Sequence, residues 1–98
     1  MNEQIAIELL VREVQKHASG RSRDVERGAE TPRLAALLLQ KYGLGIIQAV
    51  SVIYESPRAA DPILYALDAE TERIDPDWRE NHRLRWAARS ADITISSD

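Results

Sequence analysis

Apolar positions recur along this chain at helical intervals, in blocks separated by proline, glycine and capping residues. In the first block Ile7, Leu10, Val11 and Val14 fall at i, i+3, i+4 and i+7, the single stripe of an amphipathic helix. That helix is expected from about Asn2 to His17. Asn2 suits an N-cap, and Glu3 meets the positive end of the dipole. Glu8 and Arg12 pair on the outer face, Lys16 and His17 complement the last turn, and Gly20 suits a C-terminal cap. Ser19–Glu30 has alternating charge and Val25 as its one clear apolar side chain, which predicts a mobile loop, with a short helical turn capped by Ser22, or else a helix that orders only against a partner.

Thr31–Ser56 is the most apolar stretch and predicts the spine of the fold. Thr31 and Pro32 form a cap-plus-proline start. Leu34, Leu37, Leu38 and Leu39 cover so much of the circumference that burial on more than one side is expected. Gly43-Leu44-Gly45 reads as a tight turn, which makes the stretch a hairpin of two helices. The second arm is rich in β-branched residues that would suit a strand. Its period decides for helix: Ile46, Ile47, Val50, Ile53 and Tyr54 share one face, with Gln48, Ser51 and Glu55 opposite. Ser56-Pro57 ends it.

Asp61-Pro62 opens the next helix, with Leu64, Leu67 and Ile74 as a thin stripe and Asp68, Glu70 and Glu72 as an acidic outer face. Those acids approach the negative end of their own dipole and call for a cation from the next segment. Asp75-Pro76 repeats the device and opens a last helix to about Ala91, with Arg79, Arg83, Arg85 and Arg89 along it. The expected architecture is all-α: a compact bundle of four to five short helices around a central apolar helical hairpin. Residues 1–92 are expected to form one helical domain, and 93–98 a frayed tail.

Composition narrows the function classes. The 98 residues are 44% apolar and 30% charged, as in an ordinary globular domain. The lack of cysteine excludes disulfides, zinc-thiolate sites and thiol catalysis, and favours a cytoplasmic location. Met1-Asn2-Glu3-Gln4 lacks the basic start of a signal peptide, and Leu44–Tyr54, interrupted by Gln48 and Ser51, is too short to span a bilayer. No membrane contact is expected. A net charge of −3 gives no general attraction to nucleic acid.

No motif names a reaction. There is no P-loop, no Gly-x-Ser-x-Gly and no His-Glu-x-x-His. Glu13 and His17 stand i, i+4 but lack a third metal ligand, and the acids Asp24, Glu26 and Glu30 blunt any anion site at Gly20-Arg21-Ser22-Arg23. The expectation is therefore a non-enzyme with no cofactor and no metal. It would act as a small protein–protein interaction module, an adaptor, inhibitor or regulatory subunit, on an unidentified protein partner.

The candidate partner surface is the last helix, where Trp78, His82 and Trp86 recur every four residues among Arg83 and Arg89, with Tyr65 as a rim residue. The competing bland reading makes the tryptophans a lid on the core. Leu34, Leu37, Leu38 and Leu39 are the candidate self-association residues of a homodimer, because one short bundle has too little surface to cover them. The rival function is a nucleic-acid-binding regulator using the 31–56 hairpin or the arginine-rich last helix. It is disfavoured because the second arm shows only Gln48 to a groove.

Overall fold

A computed structural model describes residues 2–80 as helix and turn, with no strand among them. Three α-helices form the body: α1 (Glu3–Glu26), α2 (Pro32–Ile53) and α3 (Asp61–Ile74), with a short 3-10 turn, Pro57–Ala60, leading into α3. The all-α bundle is as expected. Residues 78–80 are helical, at the start of the expected last helix.

Two of the expected caps form. Asn2 Oδ1 accepts from the Ile5 amide at 2.8 Å, and Thr31 Oγ1 accepts from the Leu34 amide at 3.1 Å. Asp61 is not a cap; it lies inside the first turn of α3, where its carboxylate still meets the positive end of the dipole.

Two boundaries differ from expectation. α1 does not stop near His17 but runs 24 residues, absorbing most of the anticipated loop. Gly20 lies inside the helix, and the left-handed residue that closes it is Gly28, at φ 77°. The amides of Gly28 and Ala29 then return to the carbonyls of Val25 and Asp24. The extension is held because Ala18 is fully buried and Arg21 reaches forward to Glu30.

The central hairpin is the second correction. Gly43-Leu44-Gly45 makes no turn, and α2 is one unbroken helix of 22 residues. Gly43 serves packing instead. A Cβ there would stand 2.5 Å from both methyl groups of Leu67, so the glycine lets α3 approach the α2 backbone closely. Two helical glycines are intrinsically unfavourable by roughly 1 kcal/mol each against alanine. Tertiary burial on both sides of them outweighs that cost.

The core is built from one stripe of each helix: Ile7, Val14 and Ala18 from α1, Ala35, Ala36, Leu39 and Val50 from α2, and Ile63 and Leu67 from α3. One polar pair crosses it. Gln40 Nε2 donates to Thr71 Oγ1 at 2.9 Å and reaches Asp68 Oδ1 at 3.3 Å, while the Thr71 hydroxyl donates to the Leu67 carbonyl. Gln40 opposite Thr71 and Gly43 opposite Leu67 set α3 antiparallel to α2. By that register α3 begins near Val50, so Val52 and Ile53 extend past it.

α2 is also long and apolar enough to cross a membrane by length and composition, with a mean hydropathy of 1.5 over its most apolar window.

The glycines supply a test. A Cβ at position 20 meets nothing, so Gly20→Ala is expected to stabilise the fold by up to about 1 kcal/mol. Gly43→Ala is expected to destabilise it by roughly 1–3 kcal/mol through overpacking against the fully buried Leu67. Urea unfolding of both variants measures the difference; equal stabilisation by the two would refute the close approach at Gly43.

Candidate interaction surfaces

Of the residues expected on the partner surface, Trp78 and Tyr65 are among the described residues. His82, Arg83, Trp86 and Arg89 lie outside the described residues. Tyr65 is 68% exposed on α3. Trp78 is half-buried, where α3 ends in an Asp75 turn: the Trp78 amide donates to the Asp75 carbonyl, and the Asp77 amide to Asp75 Oδ1. Its ring lines a cleft of about 440 Å³ with Leu37, Leu44 and Leu64, rimmed by Lys41, Asp68 and Arg79. Tyr65 does not line that cleft. Arg79 pairs with Glu72, supplying the cation that the acidic end of α3 calls for.

The four leucines proposed for self-association do not form one surface. Leu39 is fully buried in the core of its own chain. Leu37 and Leu38 are half-buried, and only Leu34 is exposed. The reason is helical geometry: positions 34 to 39 sweep more than a full turn, so they point in every direction around α2.

The exposed apolar surface lies further along the same helix. Val52 is 71% exposed, Ile53 70% and Leu44 49%. The period of the chain groups Ile53 with the buried Val50, yet Ile53 is exposed, while its neighbour Tyr54 is half-buried against the core. Gly45, Gln48 and Ala49 complete a shallow depression of about 400 Å³ with Val52 and Ile53. An assumed turn at 43–45 hides this face in the sequence. Continuing one helical phase through Gly43 and Gly45 places Leu34, Lys41, Gly45, Gln48 and Val52 on one line, away from Leu39, Gly43 and Val50.

A wider groove, about 830 Å³, runs between α1 and the start of α3. Its floor includes Ile7, Val11, Ala59 and Pro62, and Glu8, Arg12 and Arg58 stand at its rim. Charges of both signs at that rim select no class of ligand.

A polar cluster joins α1, its connector and α2. The His17 ring stacks on Tyr42, centroids 4.0 Å apart and planes inclined by 8°. Arg21 Nε donates to His17 Nε2 at 3.3 Å, and Arg21 also pairs with Glu30. Glu30 Oε2 is buried with no hydrogen-bond partner. An imidazole that accepts at Nε2 is neutral and carries its proton on Nδ1. Glu13, Lys16, Arg23 and Asp24 line the same pocket. Burial, then the Arg21 charge, lower the His17 pKa below 6.5, and Glu30 opposes them. Among the described residues, no group of three or more His, Cys, Asp or Glu side chains is placed to hold a metal ion.

Comparison with known proteins yields no relative: no family model, curated protein or solved structure matches the chain.

Because the folded pKa of His17 lies below its unfolded value, its contribution to stability is present above pH 6.5 and lost as pH falls through the folded pKa. His17→Phe keeps a ring against Tyr42 and removes the titration. The variant is expected to lose less stability than wild type between neutral and mildly acidic pH, measured by chemical denaturation. Equal losses would show that His17 does not titrate in the fold.

Proposed function

We propose that this protein is a small helical module that acts by binding another protein rather than by catalysis, and that it docks through the outer face of α2. The observation that carries the reading is the imbalance of its most apolar helix. One side of α2 builds the core, while the line opposite it leaves Leu34 and Val52 exposed, with Leu44 and Ile53 exposed on its two flanks. Burial of such side chains stabilises association by the same transfer of apolar surface from water that drives folding. Trp78 and its cleft flank the face at Leu44 and extend it toward α3. Trp is the residue type most enriched among the anchors of protein interfaces.

The nucleic-acid alternative is weakened by the continuity of α2. A helix-turn-helix needs two helices around a turn, and positions 43–45 are helical. Lys41 is the one cation in α2 beyond Arg33. A bilayer is a further candidate occupant for an apolar helix of this length. Against it, Gln40 commits the opposite side of α2 to hydrogen bonds with α3, and a bilayer offers nothing to replace them.

Val52→Asp with Ile53→Asp is expected to abolish capture of both host proteins and untagged copies by the tagged protein. Helical circular dichroism should be unchanged, because both side chains are largely exposed. Full retention of the captured proteins would move the docking site elsewhere. A low-salt gel shift on generic nucleic acid is expected to show no binding; a shift that weakens steeply with added salt would restore the alternative.

A further inference from the structure

We infer that the outer face of α2 takes a second copy of this chain, antiparallel, about a two-fold axis level with Gln48 and Ala49. The inference rests on α2 being the docking face and names its occupant.

Charge placement selects both the partner and the direction. Between Leu34 and Ile53 the only charged side chain of α2 is Lys41, and it is exposed. Just past the other end of the helix stands Glu55, also exposed and held at φ 53°. An antiparallel pair centred between Gln48 and Ala49 brings position 41 of each copy level with position 56 of the other. Lys41 then meets Glu55 of the second copy, and symmetry makes the contact twice. A parallel pair would instead set Lys41 beside Lys41 and Glu55 beside Glu55.

Shape agrees with the same register. Position 45 falls opposite 52, and both lie on the outward line of the helix. Val52 of one copy thus lies over the depression at Gly45 and Ala49 of the other. The two helical glycines of α2 differ in this respect. Gly43 is required within the chain by Leu67, whereas a Cβ on Gly45 meets nothing and nothing in the single chain calls for glycine there. Close approach of a second backbone explains a residue that otherwise only weakens the helix. The face is therefore self-complementary, a small residue opposite a large one and a cation opposite an anion, which is what an isologous contact needs.

The absence of cysteine makes the register directly testable. Single-cysteine variants are made at exposed positions and oxidised. Ala49→Cys is expected to give a cross-linked dimer in high yield, because position 49 adjoins the axis. Lys41→Cys alone is expected to give none, since its two copies lie about 22 Å apart along the helices, far beyond disulfide reach. A mixture of Lys41→Cys and Glu55→Cys is expected to cross-link. Lys41→Glu should weaken association in sedimentation across a concentration series, and adding Glu55→Lys should restore it.

Cross-linking of Lys41→Cys to itself would overturn the antiparallel arrangement. A wild-type chain that stays monomeric throughout the series would overturn the second copy as occupant. If Val52→Asp with Ile53→Asp then still abolishes capture of a host protein, the docking face itself stands. If the monomeric wild type instead floats with neutral vesicles, the occupant is a bilayer and the inference falls.

Discussion

α2 and α3 meet where α2 has no side chain. At Gly43 the Leu67 methyl groups occupy the space a Cβ would need, and one turn earlier Gln40 bonds to Thr71 and Asp68. The first contact sets how near the helices lie, and the second sets how far along each other they slide. A shift by one turn would drive Leu67 against a residue with a Cβ and leave the buried Gln40 amide without partners, a cost of a few kcal/mol. The position of α1 depends on this pair, because its Ile7, Val14 and Ala18 stripe packs into the trough between α2 and α3. So does the outward direction of the opposite side of α2.

The helical class, two caps and the core positions Ile7, Val14, Val50 and Leu67 are readable from the chain, whereas the small Ala18, Ala35 and Ala36 and the fully buried Ile63 are not. Asn2 and Thr31 announce their helices through side-chain oxygens, and Ile7 and Val14 recur at the period of the fold. The unreadable part turns on glycine. Sequence alone cannot separate a glycine that ends a helix from one that admits a neighbour, since both depend only on the missing Cβ. Gly20 and Gly43 look like stops and are interior, whereas Gly28 is the stop. Each misplaced end shifts the helical phase assigned to the residues beyond it. That is why Val52 and Leu44 do not stand out in the sequence as one exposed face, and why the run from Leu34 to Leu39 does. Trp78 reads as a surface candidate, and it lines a cleft; the rest of that pattern, from His82 to Arg89, lies beyond the described residues.

Charge organises the periphery more than the interior. The connector between α1 and α2 is tied down by Arg21 and Glu30, and His17 is kept neutral between an arginine and the Tyr42 ring. On α3 the acidic end is answered by Arg79 from the next segment. These pairs are partly solvated and contribute modestly. Their role is to set where chain segments leave the bundle, and the apolar stripes supply the cohesion.

Among the described residues, the fully buried interior those stripes build holds no aromatic ring. Leu39, Ile63, Leu67, Val14 and Thr71 are its largest fully buried side chains. It is therefore silent in the near-ultraviolet, where Tyr54, half-buried against it, reports only from its edge. Trp78, at the edge of α3, reports on the environment of its own cleft, and Tyr42 on the His17 stack. With Trp86 replaced by Phe, tryptophan emission during unfolding follows detachment of Trp78 at the margin, and far-ultraviolet dichroism follows the helices themselves. Any separation between those two signals measures how strongly the edge of this bundle is coupled to its centre.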